Sequence, residues 1–486
     1  MFLGLDLGTG SLKALLLDPE GKIRAEASRP YAVHAPHPAW AESDPQDWWQ
    51  AAGEATRQVV GPYGTDVGAI GFSGQMHGVV LCKGDNPLRP AILWADGRSA
   101  AELKPFRQLS LPQRRRLANP PAVGMAGVSL LWLKGHEPEV YQNTEVALQP
   151  KDWLRFQLTG EAFAEPSDAS ATLLYDLQED GWAWDVLESL GLRSDLLAPI
   201  VQSASVAGHL TAKAAEHLGL RPGITVVAGG GDAPCSLLGS GLLNPGEVQL
   251  TVGSGAQIMT VLDKPQIDPS LRTHLYRAVA PGRWFAMAAM QNAGLALEWV
   301  RGILSLSWEE AYQLVEDVPP GCEGLTFIPY LTGERTPHLD PSARGMWHGL
   351  GLNHTRAHLM RSALEGVAFS LREGMEALQG SLGITHESFS KPLRLAGGGT
   401  LNPFWRHLLS DVLNRELWAS EVPSASAIGA ALLAGIGAGA FKDAHRTLAL
   451  AAKPLPIAEP KTDERLEVGY VRYKTLYRRV KELGQI

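Results

Sequence analysis

The chain opens on two short apolar runs, residues 2–7 and 13–17, separated by Gly8-Thr9-Gly10-Ser11. Apolar runs on either side of turn residues predict a hairpin. Asp6 is the one acid in the first run, and Asp18-Pro19-Glu20-Gly21 ends the second. A nucleotide P-loop needs GxxxxGK[ST] opening a helix, and that pattern does not occur here. Asp44 and Pro45 precede a helical pattern that runs to residue 60, which predicts a helix with its cap and first turn in place. Residues 67–72 read as a strand. Residues 211–218 read as a short helix between a Thr cap and the stop at Gly219. Residues 224–228 read as a buried strand that runs into Gly229-Gly230-Gly231-Asp232. The pattern is that of an α/β domain.

The pattern then repeats. Residues 250–255, LTVGSG, line up with residues 5–10, LDLGTG, and residues 258–262 form the returning run. Thr251 stands where the first copy has Asp6. A later apolar run, 393–396, also ends in glycines, at Gly397-Gly398-Gly399. This order indicates a duplication. Two such halves facing each other would place two glycine hairpins on either side of one central cleft, where ligands commonly bind. The division is expected at residues 1–240 and 241–486.

Composition narrows the function. The 486 residues are 45% hydrophobic and 19% charged, with a net charge of −8. That balance argues against a nucleic-acid partner or an anionic membrane surface. The three cysteines, Cys82, Cys235 and Cys322, are far apart and odd in number, so a reducing compartment, the cytoplasm, is expected. The start has no signal-peptide pattern. The apolar stretch 427–441 is rich in Gly and Ala and too short for a membrane span, so it reads as a tightly packed buried helix. Residues 465–486 read as a charged amphipathic helix for the second domain or an interface.

The candidate chemistry lies in the glycine loops. Gly8, Thr9 and Gly10 can bring backbone N–H groups and a hydroxyl to a phosphate. Lys13 could add charge, although strand alternation could point it away. An acid inside an apolar strand is costly to bury, so Asp6 suggests a ligand, a phosphate-bound Mg²⁺. Gly253 and Ser254 would form a second clamp. Gly398 and Gly399 allow close approach to a ring or ribose; Asn402 could hydrogen-bond an adenine edge, and Trp405 could stack on it. Asn402 before Pro403 is equally a helix cap, and Trp405 equally a core residue. Asp232 stands at a strand end, where open α/β sheets present ligands, and could accept a proton from an alcohol. Its alternative is a helix cap. An ordinary carboxylate pKa suffices for that proton transfer, which comes late. In Gly74-Gln75-Met76-His77-Gly78, Gln75 and His77 could reach sugar hydroxyls beside the apolar wall of Met76. WADGR (94–98) and GERTPH (333–338) either line that site or brace it.

Taken together, DLGTGSLK, DPQDWW, GQMHG, RPAILWADGR, LQPKDWLRFQLTG, GGGD, TVGSG, PYLTGERTPH, RSALEGVAF and AGGGTLNPFW resemble the FGGY family of carbohydrate kinases. The family belongs to the superfamily of actin, hexokinase and the ATP-driven heat-shock chaperones. GQMHG, PAILWADGR and GERTPH are most similar to the xylulokinases within it. The resemblance implies two ribonuclease-H-like domains of actin/hexokinase type, with ATP and Mg²⁺ held between them. It implies that Asp232 is the base, and that Asp6 and Asp232 serve the metal. It also implies that Gln75, Met76, His77 and Asp232 meet the sugar, and that residues 397–405 meet the adenosine. The implied reaction is ATP-dependent phosphorylation of a ketopentose, D-xylulose to D-xylulose 5-phosphate. The alternatives are a kinase for ribulose or glycerol and a non-catalytic sugar- and ATP-binding relative. The resemblance also allows a homodimer. Four departures from the family pattern stand out: Thr9-Gly10-Ser11, Gly253-Ser254-Gly255-Ala256, Ala233 in place of Asn, and Ala95 in WADGR.

Overall fold

The structure is a computed structural model that describes residues 1–383, 392–397, 402–419, 424–447, 450 and 454–482. Its first sheet is built on the predicted hairpin, β1 (Phe2–Leu7) and β2 (Ser11–Leu17), followed by β3 (Ile23–Pro30). Then come α1 (Pro45–Val60), capped by the Asp44 side chain, and β4 (Ala69–Gly74). β5 (Val206–His209) and β6 (Thr225–Val227) complete the far edge. The order across the sheet is β5-β6-β4-β1-β2-β3. β1 runs antiparallel to β2 and parallel to β4. Central strands covered on both faces read as near-continuous apolar runs, as β1 and β4 do apart from Asp6 and Ser73.

The second sheet has the same plan. Its members are β7 (Val248–Val252), β8 (Ala256–Leu262), β9 (His274–Arg277), β10 (Trp284–Met290), β11 (Leu393–Ala396), β12 (Leu417–Ala419) and β13 (Leu455–Ala458). The order is β9-β10-β8-β7-β11-β12-β13. Apart from β9 on the edge, every pairing matches the first sheet in sense. β7 is antiparallel to β8 and parallel to β11, as β1 is to β2 and β4. The duplication read from two glycine turns therefore extends across whole sheets.

Two helices join the sheets. α2 (Asp232–Gly239) carries Ala233 and Leu237 into a core with Met259, Val261, Tyr276 and Phe285 of the second sheet. α3 (Ala425–Gly437), from late in the chain, packs instead on the first sheet with Phe2, Leu15 and Ala69. Its small residues let its backbone rest on β1: a Cβ added at Gly4 would lie 2.1 Å from the Ala427 carbonyl oxygen. This is the tightly packed helix expected at 427–441. The predicted C-terminal helix spans Glu464–Glu482 and packs Tyr470, Tyr473 and Tyr477 into the second core. The three cysteines are buried and free. Among the described residues no helix is long and apolar enough to cross a membrane.

Candidate active site

Strand register brings the two acids together. Asp6 of β1 pairs with Ser73 of β4, and Ser73 pairs in turn with Gly230. The short run Gly230–Gly231 thus extends the sheet beyond β4 and delivers Asp232 beside Asp6. Ser73 Oγ donates to Asp6 Oδ1 at 2.8 Å. Asp232 opens α2, and its Oδ1 accepts from the Ala233 N–H at 2.7 Å. Both carboxylates are partly exposed. Burial first, and the neighbouring Asp6 charge second, push Asp232 from 3.8 up to about 7. Burial also raises Asp6. An elevated pKa is not required for the proposed proton transfer; here it comes from burial and from the strand register that places Asp6 beside Asp232.

The glycines before Asp232 allow close packing. Gly229 has φ +85°, and a Cβ at Gly231 would lie 2.8 Å from Met76 Cγ. Met76 is therefore a wall of this turn, as well as of the loop it belongs to. Next to it, His77 adopts φ +74°, a conformation unusual for a non-glycine residue. Its Nδ1 lies 2.8 Å from the Ala171 carbonyl oxygen. A carbonyl can only accept, so Nδ1 carries the proton and Nε2 is an acceptor for a hydroxyl. Burial lowers the His77 pKa to about 4, so the ring is neutral. Its ring centroid lies 6.1 Å from that of Tyr276 on β9, at an interplanar angle of 60°, where the two lobes meet.

Gly8, Thr9 and Gly10 form the tip of the first hairpin, closed by Gly8 N to Ser11 O at 3.0 Å. Trp94 Nε1 donates to Thr9 Oγ1 at 2.9 Å, and the Tyr31 hydroxyl donates to the Gly8 carbonyl. Gly253 and Ser254 form the second tip and are exposed. Their carbonyls accept the first N–H groups of the helix Gly294–Ile303, which fixes that loop against its neighbour.

The remaining candidates divide between their alternatives. Gln75 is 1% exposed and its amide Nε2 donates to the Gly8 carbonyl at 3.2 Å, so it braces the first hairpin, while its Oε1 is buried without a hydrogen-bond partner among the described residues. Trp405 is 0% exposed within the second core, so its ring is covered by protein and not open to stack on adenine. Asn402 caps the helix Pro403–Leu413 by accepting from Trp405 N at 3.3 Å. Gly398 and Gly399 lie outside the described residues. Lys13 pairs across the hairpin with Asp6, on the same face, but its Nζ is tied to Ser424 Oγ at 2.9 Å and lies 3.5 Å from Glu26. WADGR is largely a brace: Asp96 accepts from Ala41 N and from Arg98, whose guanidinium lies 3.5 Å over Trp40. In GERTPH, buried Glu334 accepts from the backbone N–H groups of Gln291 and Arg335. The Arg335 charge helps to keep His77 and His274 neutral.

Sequence reasoning passed over the support behind the turn: Lys151, Asp152, Arg155, Glu165, Ser167 and Asp168, all buried. Its one signal was a lysine, an aspartate and an arginine inside an otherwise amphipathic helical stretch, LQPKDWLRFQLTG.

Comparison with known proteins gives a consistent picture. The family model described as "FGGY family of carbohydrate kinases, N-terminal domain" matches residues 1–239, and its C-terminal counterpart matches residues 248–438. The chain is 32% identical to a xylulose kinase of Bacillus subtilis over 496 aligned residues, which cover 99% of this chain and 97% of that protein. It is 34% identical to a xylulose kinase of Escherichia coli, over 90% of each chain. It superposes on the crystal structure of a xylulose kinase from Rhodospirillum rubrum with a TM-score of 0.90, at 29% identity, over 100% of both chains.

Proposed function

The chain belongs to the FGGY family of carbohydrate kinases, and from that premise we propose that it transfers the γ-phosphoryl group of ATP to D-xylulose, giving D-xylulose 5-phosphate, with Asp232 as the proton acceptor. The observation that carries this reading is the position of Asp232. It stands at the end of the first sheet, beside Asp6, on a turn packed against Met76 and next to the His77 loop. A sugar hydroxyl there would give its proton to Asp232 as its oxygen bonds phosphorus, leaving a neutral carboxyl and ADP. A pKa near 7 suits a base working at neutral pH. His77, neutral with an acceptor nitrogen, would orient a second hydroxyl. The hairpin tips at Gly8–Gly10 and Gly253–Ser254 would hold the phosphates through backbone N–H groups, and residues 1–240 and 241–486 would supply the two closing units, except that α3 of the second half would move with the first sheet on which it packs.

Asp6 and Asp232 also suit Mg²⁺. They are two desolvated carboxylates whose charges repel, and among the described residues no group of three or more His, Cys, Asp or Glu could hold a metal alone. Mg²⁺ is commonly bound by one or two carboxylates plus substrate phosphates. When bound it would neutralise charge on the phosphates.

The second reading, a kinase for ribulose or glycerol, rests on Ala233. This residue is buried against Met76 and Tyr276 and offers a methyl group where xylulokinases usually have an amide. ADP release, measured over a panel of ketoses and polyols, tests the reading. The highest kcat/KM is expected with D-xylulose; no sugar-dependent ADP release would overturn it, and a higher kcat/KM for another acceptor would reassign the substrate.

A further inference from the structure

Behind the Asp232 turn lies a network of charges with almost no exposure. Lys151 Nζ contacts Asp152 Oδ1 at 2.6 Å, Asp168 Oδ2 at 3.2 Å and Glu165 Oε1 at 3.5 Å. Arg155 Nη1 contacts Asp152 Oδ1 at 2.7 Å. Two cations face three carboxyls. Burial first, and the Asp152 and Glu165 charges after it, push the Asp168 pKa above the usual carboxylate range, against the opposing pull of Lys151. Buried charges break even only with full pairing and good hydrogen bonding, so such a cluster is weak evidence for stability. Its connections point elsewhere.

Arg155 Nη1 donates to the carbonyl of Ala228 at 2.7 Å, at the start of the catalytic turn. Glu165 accepts from Ser167 N, Ser167 Oγ, Asp168 N and Ser203 Oγ, all between 2.7 and 2.9 Å. Because the Ser167 hydroxyl donates to Glu165, its lone pair is left for the Gly231 N–H, which donates to it at 3.0 Å. Gly231 is the residue before Asp232. Further along the same segment, Ala171 gives its carbonyl to His77 Nδ1, and Ser170 Oγ accepts from Arg277 N of the second sheet at 3.0 Å.

We propose that residues 165–171 are the positioning element of this active site: Glu165, acting through Ser167, sets the turn that carries Asp232, while the Ala171 carbonyl sets the ring of His77. One short segment then fixes the separation between the proton acceptor and the sugar loop. This rests on Asp232 being the base. Ser167 touches no substrate in this scheme; it acts through Gly231.

The test is Ser167→Ala, with Ser167→Cys retaining a weaker donor. Misplacing a reacting group by about 1 Å can cost on the order of a hundredfold in rate. Ser167→Ala is expected to lower kcat by about tenfold to a hundredfold, with KM for sugar and ATP nearly unchanged, and Ser167→Cys to fall between it and the wild type. The control is Ser410→Ala, which removes another buried hydroxyl bond, Ser410 Oγ to Arg415 O at 2.7 Å, far from the turn. It should lower the melting temperature comparably and leave kcat alone. If Ser167→Ala keeps the wild-type kcat per folded molecule, or loses no more than Ser410→Ala, the positioning role is overturned. Should Ser167→Ala not fold, Ser167→Cys decides on the same criteria. Asp232→Asn is run alongside: activity in that variant would sink the base assignment, whereas an inactive Asp232→Asn beside a fully active Ser167→Ala would sink the positioning role alone.

Discussion

Replacing Asp232 by Asn should make the ligand-free protein more stable above neutral pH and have little such effect in acid. Burial and the Asp6 charge raise the folded-state pKa of Asp232 from 3.8 to about 7. The folded protein therefore holds this proton more tightly than the unfolded chain does. The stability it contributes is complete below the unfolded value, declines as pH rises through the window between the two values, and is gone above about 7. At ~1.4 kcal/mol per pKa unit the whole effect is at most ~4 kcal/mol. Asp232 is partly exposed, and solvent screening reduces that to ~1–2 kcal/mol. Denaturation of both proteins without ATP, at about pH 4 and about pH 8, measures it. Acids that do not face Asp232 titrate alike in both proteins and cancel in the difference, and any fixed offset from the amide is the same at both pH values. The variant is expected to gain on the wild type between the two conditions, and to gain less when Asp6→Asn is already present. A difference that does not change with pH, or one in which the wild type gains, would refute the argument that the acids are desolvated and face each other.

The same carboxylate should govern activity: kcat/KM is expected to fall on the acid side with an apparent pKa near 7, while the limb in kcat lies lower, because bound cation and substrates favour the ionised form; pH profiles of both parameters check this. Replacing His77 by Ala should raise KM for the sugar about tenfold, the loss of one hydrogen bond, and leave KM for ATP unchanged, as steady-state kinetics with each substrate varied will show. Trp405→Ala should cost ~3–5 kcal/mol of stability as a core truncation, whereas Trp405→Phe should keep ATP affinity, measured by calorimetry, at the wild-type value.

Much of the fold could be read from local pattern. The first hairpin was visible because apolar runs bracket Gly8–Ser11, and α1 because Asp44 and Pro45 mark its start. The duplication was visible in two such turns, and the sheets proved to match in the sense of every pairing apart from the added edge strand β9. What was hidden depends on contacts between distant segments. The raised pKa of Asp232 follows first from burial and then from register across three strands, which puts Asp6, Ser73 and Gly230 in one row. Lysine is rarely fully buried, so the charges in LQPKDWLRFQLTG were a weak local mark, and nothing in the stretch showed that Lys151 has partners on other segments. Gln75 and Trp405 were legible as residue types but not as directions: packing turned one onto the first hairpin and the other into the core. The cap at Asn402, in contrast, is a local signal and was met as read.

The most direct measurement follows phosphorus by nuclear magnetic resonance in a mixture of ATP, Mg²⁺ and D-xylulose, with wild-type protein and with Asp232→Asn, each first shown by calorimetry to bind ATP. The wild type is expected to form xylulose 5-phosphate, and the variant to turn over about a thousandfold more slowly with similar ATP affinity. Formation of the sugar phosphate by Asp232→Asn at close to the wild-type rate would contradict the account.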